Sequence, residues 1–316
     1  MISQKFDCRA YPEGCVFTQF TLDDGWPLRV FSWPAGDISR GTILFVGGRG
    51  DFLEKYLESF ADWHVAGWGV VAIDWRGQGG SGRITKNARV GHIDDFAIWM
   101  DDLSQFWQAF AAVQPGPHII IGHSMGGHLI LRALEDRRIT PAAAILIAPM
   151  LGIETPPLPL PVAKILFGAL VKIGLGERPA WKGNERPAAP WASRQRFLTS
   201  DNKRYADEIW WLKNKPEIAL GPPSFGWLSA AITSTQASEG QGLLERVTLP
   251  LLILGTDGDR LVSTAAIRRC AARLSGVMLY MYNKTVGHEI LRERDDVRGD
   301  ALMRIDSFLA RAAPLR

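Results

Sequence analysis

Residues 119–134, "IIIGHSMGGHLILRAL", decide the fold. Three isoleucines run into a glycine, a serine stands between small residues, and the apolar positions then take up helical spacing. A short, unbroken apolar run ending in glycine reads as a strand buried on both faces, followed by a helix packed back onto it. The junction, Gly122-His123-Ser124-Met125-Gly126, fits G-x-S-x-G, in which a serine on a tight strand-to-helix turn is held exposed and small neighbours tolerate the strained backbone. With 32 glycines in 316 residues, roughly 0.2 such matches arise by chance in a chain this long. Alone, the pattern also fits a plain structural turn. Its place between a buried strand and an apolar helix makes Ser124 a candidate nucleophile.

Similar runs occur on both sides: "TILFVGG" (42–48), "VVAIDWRG" (70–77), "AAILIAP" (143–149) and "LPLLILGTDGD" (249–259), with "GVMLYMY" (276–282) last. Helical stretches separate most of them, such as "FLEKYLESFADWHVAG" and "IDDFAIWMDDLSQFWQAFAAV", so a parallel sheet covered by helices on each side is expected. Ahead of these, "CVFTQFTLDDGWPLRVFSW" reads as two strands joined at Asp24-Gly25. From 151 to 235 the strand signal vanishes and proline and tryptophan thicken. This region is expected to be an inserted helical cap on a core formed by 1–150 and 236–316. No internal repeat or low-complexity tract is visible.

Composition sets the bounds. A chain with 47% hydrophobic residues can bury a large core, and a net charge of +3 without a basic stretch argues against a nucleic-acid partner. Cys8, Cys15 and Cys270 lack metal-ligand spacing, so reduced thiols are expected, a Cys8–Cys15 bridge being the alternative. The first residues hold no apolar core of signal-peptide length, and no segment approaches eighteen uninterrupted apolar residues. The expected location is cytoplasmic, peripheral to the membrane.

A serine hydroxyl needs a base to take its proton and a third group to orient that base. In chain order serine, acid, histidine, both should follow later strands. Asp257 and Asp259 follow the run at 249–259, and His288 follows the last strand. The other histidines are poorer bases. His118 starts a strand and His64 lies in a helix. His123 and His128 flank the elbow but point elsewhere, and His92, in a loop after a strand, is the runner-up, with a structural role expected.

The ordered set "DWRGQGGSG" (74–82), "GHIDDFAIWMDDL" (91–103), "IGHSMGG" (121–127), "DRLV" (259–262) and "VGHEILRE" (286–293) resembles the α/β-hydrolase superfamily. Within it, the set resembles the branch of lysophospholipases and monoacylglycerol lipases filed as serine aminopeptidase-type hydrolases. Residues 197–228 of the cap look like the matching region of bacterial lysophospholipase-like members. The resemblance implies an α/β-hydrolase fold with a mostly parallel central sheet and an inserted cap. It implies Ser124 as nucleophile, His288 as base and Asp259 as acid, with Gly122, His123 and Gly126 shaping the elbow. It implies the backbone amides of Met125 and Arg49 as oxyanion donors, although relatives carry His-Gly where this chain has Gly47-Gly48. The implied activity is cleavage of carboxylic esters of lipids through an acyl-enzyme, with no metal or organic cofactor. Other chemistries on the same triad (aminopeptidase, thioesterase, general carboxylesterase), or a non-catalytic binding protein, are the alternatives. The expected partners are a lipid-like ester and, through the cap, a membrane surface, without an obligatory protein partner. In "LPVAKILFGALVKIGLG", Lys164 and Lys172 are expected to face outward from an apolar helix. Trp181, Trp191, Trp210, Trp211 and Trp227 are expected to add apolar surface around an acyl pocket.

Overall fold

The computed structural model describes residues 6–314 except 38, 156, 182–190 and 241, and of 191–193 only the helical backbone. Elements are numbered in chain order. Eight strands, β1 (Val16–Thr21), β2 (Pro27–Trp33), β3 (Thr42–Val46), β4 (Gly69–Ile73), β5 (His118–His123), β6 (Ala143–Ile147), β7 (Leu251–Thr256) and β8 (Met278–Tyr282), form one sheet in the order β1-β2-β4-β3-β5-β6-β7-β8. The β1–β2 hairpin joins β4 antiparallel, and every pairing from β4 to β8 is parallel. The expected turn is there, with Gly25 at φ 83°, a conformation glycine adopts without the Cβ penalty.

Strands β3 to β7 are buried at every residue except the first of β5, as the continuous apolar runs predict. Their side chains alternate between two cores. Ile43 and Phe45 of β3, with Ile119 and Ile121 of β5, face one, and Leu44, Val46 and Ile120 face the other. The first core is closed by α1 (Leu57–Val65) and α9 (Asp295–Ala312), the second by α2 (Phe96–Val113), α3 (Met125–Glu135) and α8 (Thr264–Arg273). Asp95 caps α2 by accepting from the Ala97 amide.

Between β6 and β7 the described residues form α4 (Leu160–Leu170), a π turn (Val171–Leu175), α5 (Trp191–Leu198), α6 (Asn202–Asn214), a 3-10 turn (Pro216–Ile218) and α7 (Phe225–Ser238). The expected boundary at 235 falls inside α7. Its N-terminus is capped by Ser224, which accepts from the Trp227 amide, and Trp227, Ala230 and Ala231 join the core shared with α2 and α3. The lysines lie outward as expected: Lys164 of α4 and Lys172 of the π turn are exposed, Lys164 donating to Gln236 of α7 at 2.6 Å, and the exposed face also carries Val162, Ile165 and Leu166. The helix also ends sooner than its apolar pattern, with non-helical Ile173 and Gly174. Among the described residues no helix is long and apolar enough to cross a membrane. The three cysteines are unbridged.

Candidate active site

Every residue singled out after a strand lies at the carboxyl edge of the parallel sheet, where such sheets place their sites. Ser124, at the β5–α3 junction, has φ 51° and ψ −114°, a strained conformation for a residue with a side chain. The surroundings enforce it. The Ser124 amide donates to Ile147 O at 2.9 Å, and its carbonyl accepts from the amides of His128 and Met150. The elbow glycines are there for space. A Cβ at Gly122 would lie 2.5 Å from Ile130 Cδ1, and one at Gly126 would lie 2.5 Å from both Val46 O and Gly47 O. The loop after β3 presses on the serine from the other side, since a Cβ at Gly48 would come 2.9 Å from Ser124 Cβ.

The Nδ1 of His288 meets Asp259 Oδ2 at 2.5 Å, and the Asp259 side chain is fully buried. Asp259 Oδ1 accepts from the amides of Leu261 and Val262. Burial pushes the Asp259 carboxyl up, but the His288 imidazole and those two amides outweigh it and hold it below its ordinary value. Burial likewise opposes the imidazolium, yet the Asp259 carboxylate raises His288 above its ordinary value. Asp257, the other acid left open by the residues alone, instead pairs with Arg268 at 2.7 Å on the surface.

Ser124 and His288 line one cavity of about 130 Å³, together with Arg49, Met150, Trp181, Leu198, Trp227 and Val262. Arg49 turns its guanidinium to Gly221 O at 2.9 Å and over the Trp227 ring. The Gly48 amide before it is held by Asp51 Oδ2 at 2.7 Å. Met125 opens α3, where helix geometry leaves its amide without an intrahelical acceptor.

The remaining histidines have structural partners. His92 contacts Ser224 Oγ at 2.7 Å and Asp94 at 3.1 Å, tying its loop to α7. His128 is buried against Ser234 Oγ, and burial pushes it down to about 3. His64 stacks on Trp33, and His118 meets Gln114 O. His123 contacts Asp51 Oδ2 at 2.8 Å, although its ring centroid stays 4.8 Å from that of His288. Of the tryptophans, Trp181 and Trp227 line the cavity. Trp211 packs into the opposite core and donates to Cys8 O, Trp210 packs beside it, and the Trp191 side chain lies outside the described residues.

The sequence reading missed a buried ionic cluster whose Asp51, Lys55, Arg194 and Glu289 form part of the cavity wall. Lys55 reaches Asp51 at 2.6 Å and Glu289 at 2.7 Å, and Glu208 of α6 binds Arg292 at 2.6 Å and Arg194 of α5 at 2.7 Å. The legible signals were the four-residue spacing of Asp51 and Lys55 and an acid directly after His288.

Comparison with known proteins agrees with this architecture. Residues 37–295 match the family described as "Serine aminopeptidase, S33". Lysophospholipase L2 of Escherichia coli K12 is 32% identical over 305 residues, spanning 93% of this chain and 87% of that protein. Monoacylglycerol lipase of Mycolicibacterium smegmatis is 26% identical over 269 residues, 83% of this chain and 85% of the relative. Among solved structures, a soluble variant of Saccharomyces cerevisiae monoglyceride lipase superposes with a TM-score of 0.74 at 16% identity, covering 97% of this chain and 99% of that one. A likeness at that identity speaks for the fold.

Proposed function

Because the chain belongs to the serine aminopeptidase S33 family of α/β-hydrolases, we propose that it hydrolyses carboxylic esters of lipids, lysophospholipids or monoacylglycerols, through an acyl-enzyme on Ser124. The observation that carries the reading is the buried 2.5 Å contact between His288 Nδ1 and Asp259, formed beside a serine held at φ 51° in the same cavity.

With Nδ1–H donated to Asp259, the free electron pair of His288 is on Nε2, where it takes the Ser124 proton as the hydroxyl attacks the ester carbonyl. Asp259 keeps that tautomer and stabilises the imidazolium. The amides of Met125 and Arg49 meet the developing oxyanion, each such donor being worth about 10²–10³ in rate. His288 then protonates the leaving alcohol, and a water deprotonated by the same imidazole releases the fatty acid. The protein's own groups account for each proton.

Residues 151–235 act as a cap whose Trp181, Leu198, Trp227 and Leu228 shield the acyl group from water. Val162, Ile165, Leu166 and Ala169 recur at i, i+3, i+4 and i+7 on the exposed face of α4, a stripe suited to resting on a lipid surface.

A fluorophosphonate probe tests the nucleophile. Wild type labels covalently, while Ser124→Ala stays folded and does not label. Hydrolysis is compared across a lysophospholipid, a monoacylglycerol, short and long p-nitrophenyl esters and an N-terminal proline amide, with the long-chain lipid esters expected to be cleaved fastest. Labelling retained in Ser124→Ala, or turnover of the amide alone, refutes the reading.

A further inference from the structure

We infer that Lys55 is a positioning residue: gripped by Asp51, Glu289 and Glu208, its ammonium holds the loop after β3 and the loop carrying His288 in register with each other and with cap helix α6. The inference rests on the reaction proposed above and adds a part to it.

Two of the three anchors reach, directly or through one hydrogen bond, a residue next to a group placed in the reaction. Asp51 divides its oxygens. Oδ1 takes the Lys55 ammonium at 2.6 Å, while Oδ2 accepts from the Gly48 amide at 2.7 Å and the Tyr56 hydroxyl at 2.8 Å and meets His123 Nδ1 at 2.8 Å. Gly48 precedes Arg49, His123 precedes Ser124, and Glu289, 2.7 Å from the same ammonium, follows His288. A lever one residue long passes any displacement of its anchor to the reacting group. Misplacement by about 1 Å can cost a hundredfold in rate.

The cap enters from the far side. Glu208 Oε2 lies 3.6 Å from Lys55 Nζ and is itself held by Arg292 and Arg194. The segment between α5 and α6 runs along the histidine loop. Phe197 O accepts from the His288 amide at 3.2 Å, Leu198 O from the Glu289 amide at 2.8 Å, and Thr199 Oγ1 donates to Arg292 O at 2.6 Å. A Cβ at Gly287 would lie 2.6 Å from Leu198 O, so this approach leaves no room for a side chain. Lys55 is thus a joint between three chain segments, with its side chain 1% exposed. Buried ion pairs often contribute no more stability than well-packed apolar groups would. A cluster of Asp51, Glu289 and Glu208 against Lys55, Arg292 and Arg194, four of whose members line the cavity that holds the nucleophile, is therefore better accounted for by geometry than by stability.

The test separates placement from mere stability. In Lys55→Met, kcat for p-nitrophenyl butyrate is expected to fall at least thirtyfold with KM within about threefold, and the rate of fluorophosphonate labelling to fall in parallel. The pH profile carries a second signature. His288 faces Asp259, Glu289 and Asp51, with the His123 ring beside it, and the charges of all three acids favour its protonated form. Lys55 faces Asp51, Glu208, Glu289 and Arg292. Removing the ammonium leaves Asp51 and Glu289 less neutralised, so the acid limb of kcat/KM should move to higher pH, and Lys55→Arg should restore most of both effects. Should Lys55→Met fail to fold, Glu208→Gln, which lies outside the catalytic cavity, is expected to lower kcat three- to tenfold at unchanged KM. Wild-type kcat and labelling rate in the folded variant, whatever its melting temperature, or an unmoved acid limb in Lys55→Met, would overturn the inference. Ser124→Ala distinguishes the two levels. Labelling that survives in it defeats the proposed reaction, whereas its loss beside wild-type labelling in Lys55→Met defeats the positioning role alone.

Discussion

Helices α3 and α4 have the same length, eleven residues, and α4 is the more apolar, "MGGHLILRALE" against "LPVAKILFGAL". In α3 every residue but Arg132 is buried, whereas in α4 only Ala163 is. The first is locked between the sheet and the helices around it, with its N-terminal glycine against the carbonyls of β3. The second leans on α7 by one edge and leaves Ile165 74% and Val162 49% exposed. Apolar composition therefore records that a face avoids water, but does not say whether protein or something else covers it. For α3 the cover is the hydrolase core, and for α4 the proposal is a lipid surface. Changes around α3 should act on catalysis, and changes on α4 on partition to membranes.

The largest expected effect belongs to the acid on the fixed side. Asp259→Asn replaces a carboxylate that accepts Nδ1–H with an amide that favours the wrong imidazole tautomer, a loss of about 10⁴ in kcat in the serine-protease case. Asp257→Asn, which removes only a surface contact with Arg268, should stay within twofold. Steady-state kinetics on one soluble ester decides it, and a reversal of the two would move the acid.

Next in size is Gly126→Ala. The added Cβ meets two carbonyl oxygens at 2.5 Å and must push α3 from β3, displacing both Ser124 and the Met125 amide. A fall of about 10² in labelling rate is expected, in line with the cost of ångström-scale misplacement. Unchanged labelling would mean that the elbow is looser than its packing.

The core was legible because its signal is local. A strand covered on both faces must be apolar at every position, and candidate catalytic groups on a parallel sheet are sought just past the strands, so Ser124, Asp259 and His288 could be proposed in order. The cluster was missed, despite the Asp51–Lys55 spacing, because its residues imitate a solvent face. In "FLEKYLESF", Glu54 and Lys55 look like the wet side of an amphipathic helix, yet all four residues of the turn Leu53–Tyr56 are buried, covered by elements distant in sequence. For Lys55 the cover includes α6 and the loop after β8. Only that long-range packing turns a surface pattern into a joint. Helical spacing put Lys164 on an exposed face but could not name its neighbour there, Gln236 of α7.

On the open side, Ile165→Glu places a charge on the exposed stripe without disturbing the fold. Burying an isoleucine side chain is worth about 1.5–3 kcal/mol, so partition onto anionic vesicles should fall at least tenfold in a sedimentation assay. Turnover of a soluble short ester should stay within twofold. Equal vesicle binding by variant and wild type would remove the membrane role from α4 and leave its exposure unexplained.

The smallest effect sets α4 against α3 at the same residue type. Gly168 lies within α4, and a Cβ built there meets nothing within 4 Å, the opposite of Gly126. Glycine inside a helix costs about 0.5–1 kcal/mol relative to alanine, through the backbone freedom it loses on folding. Gly168→Ala should therefore stabilise the folded chain by that amount, raising the melting temperature by about 1–3 °C given the scaling for chains above 150 residues, with kcat and vesicle binding unchanged. A melting temperature below wild type would mean that α4 packs against something at that face in solution, and α4 would then be as closed a helix as α3.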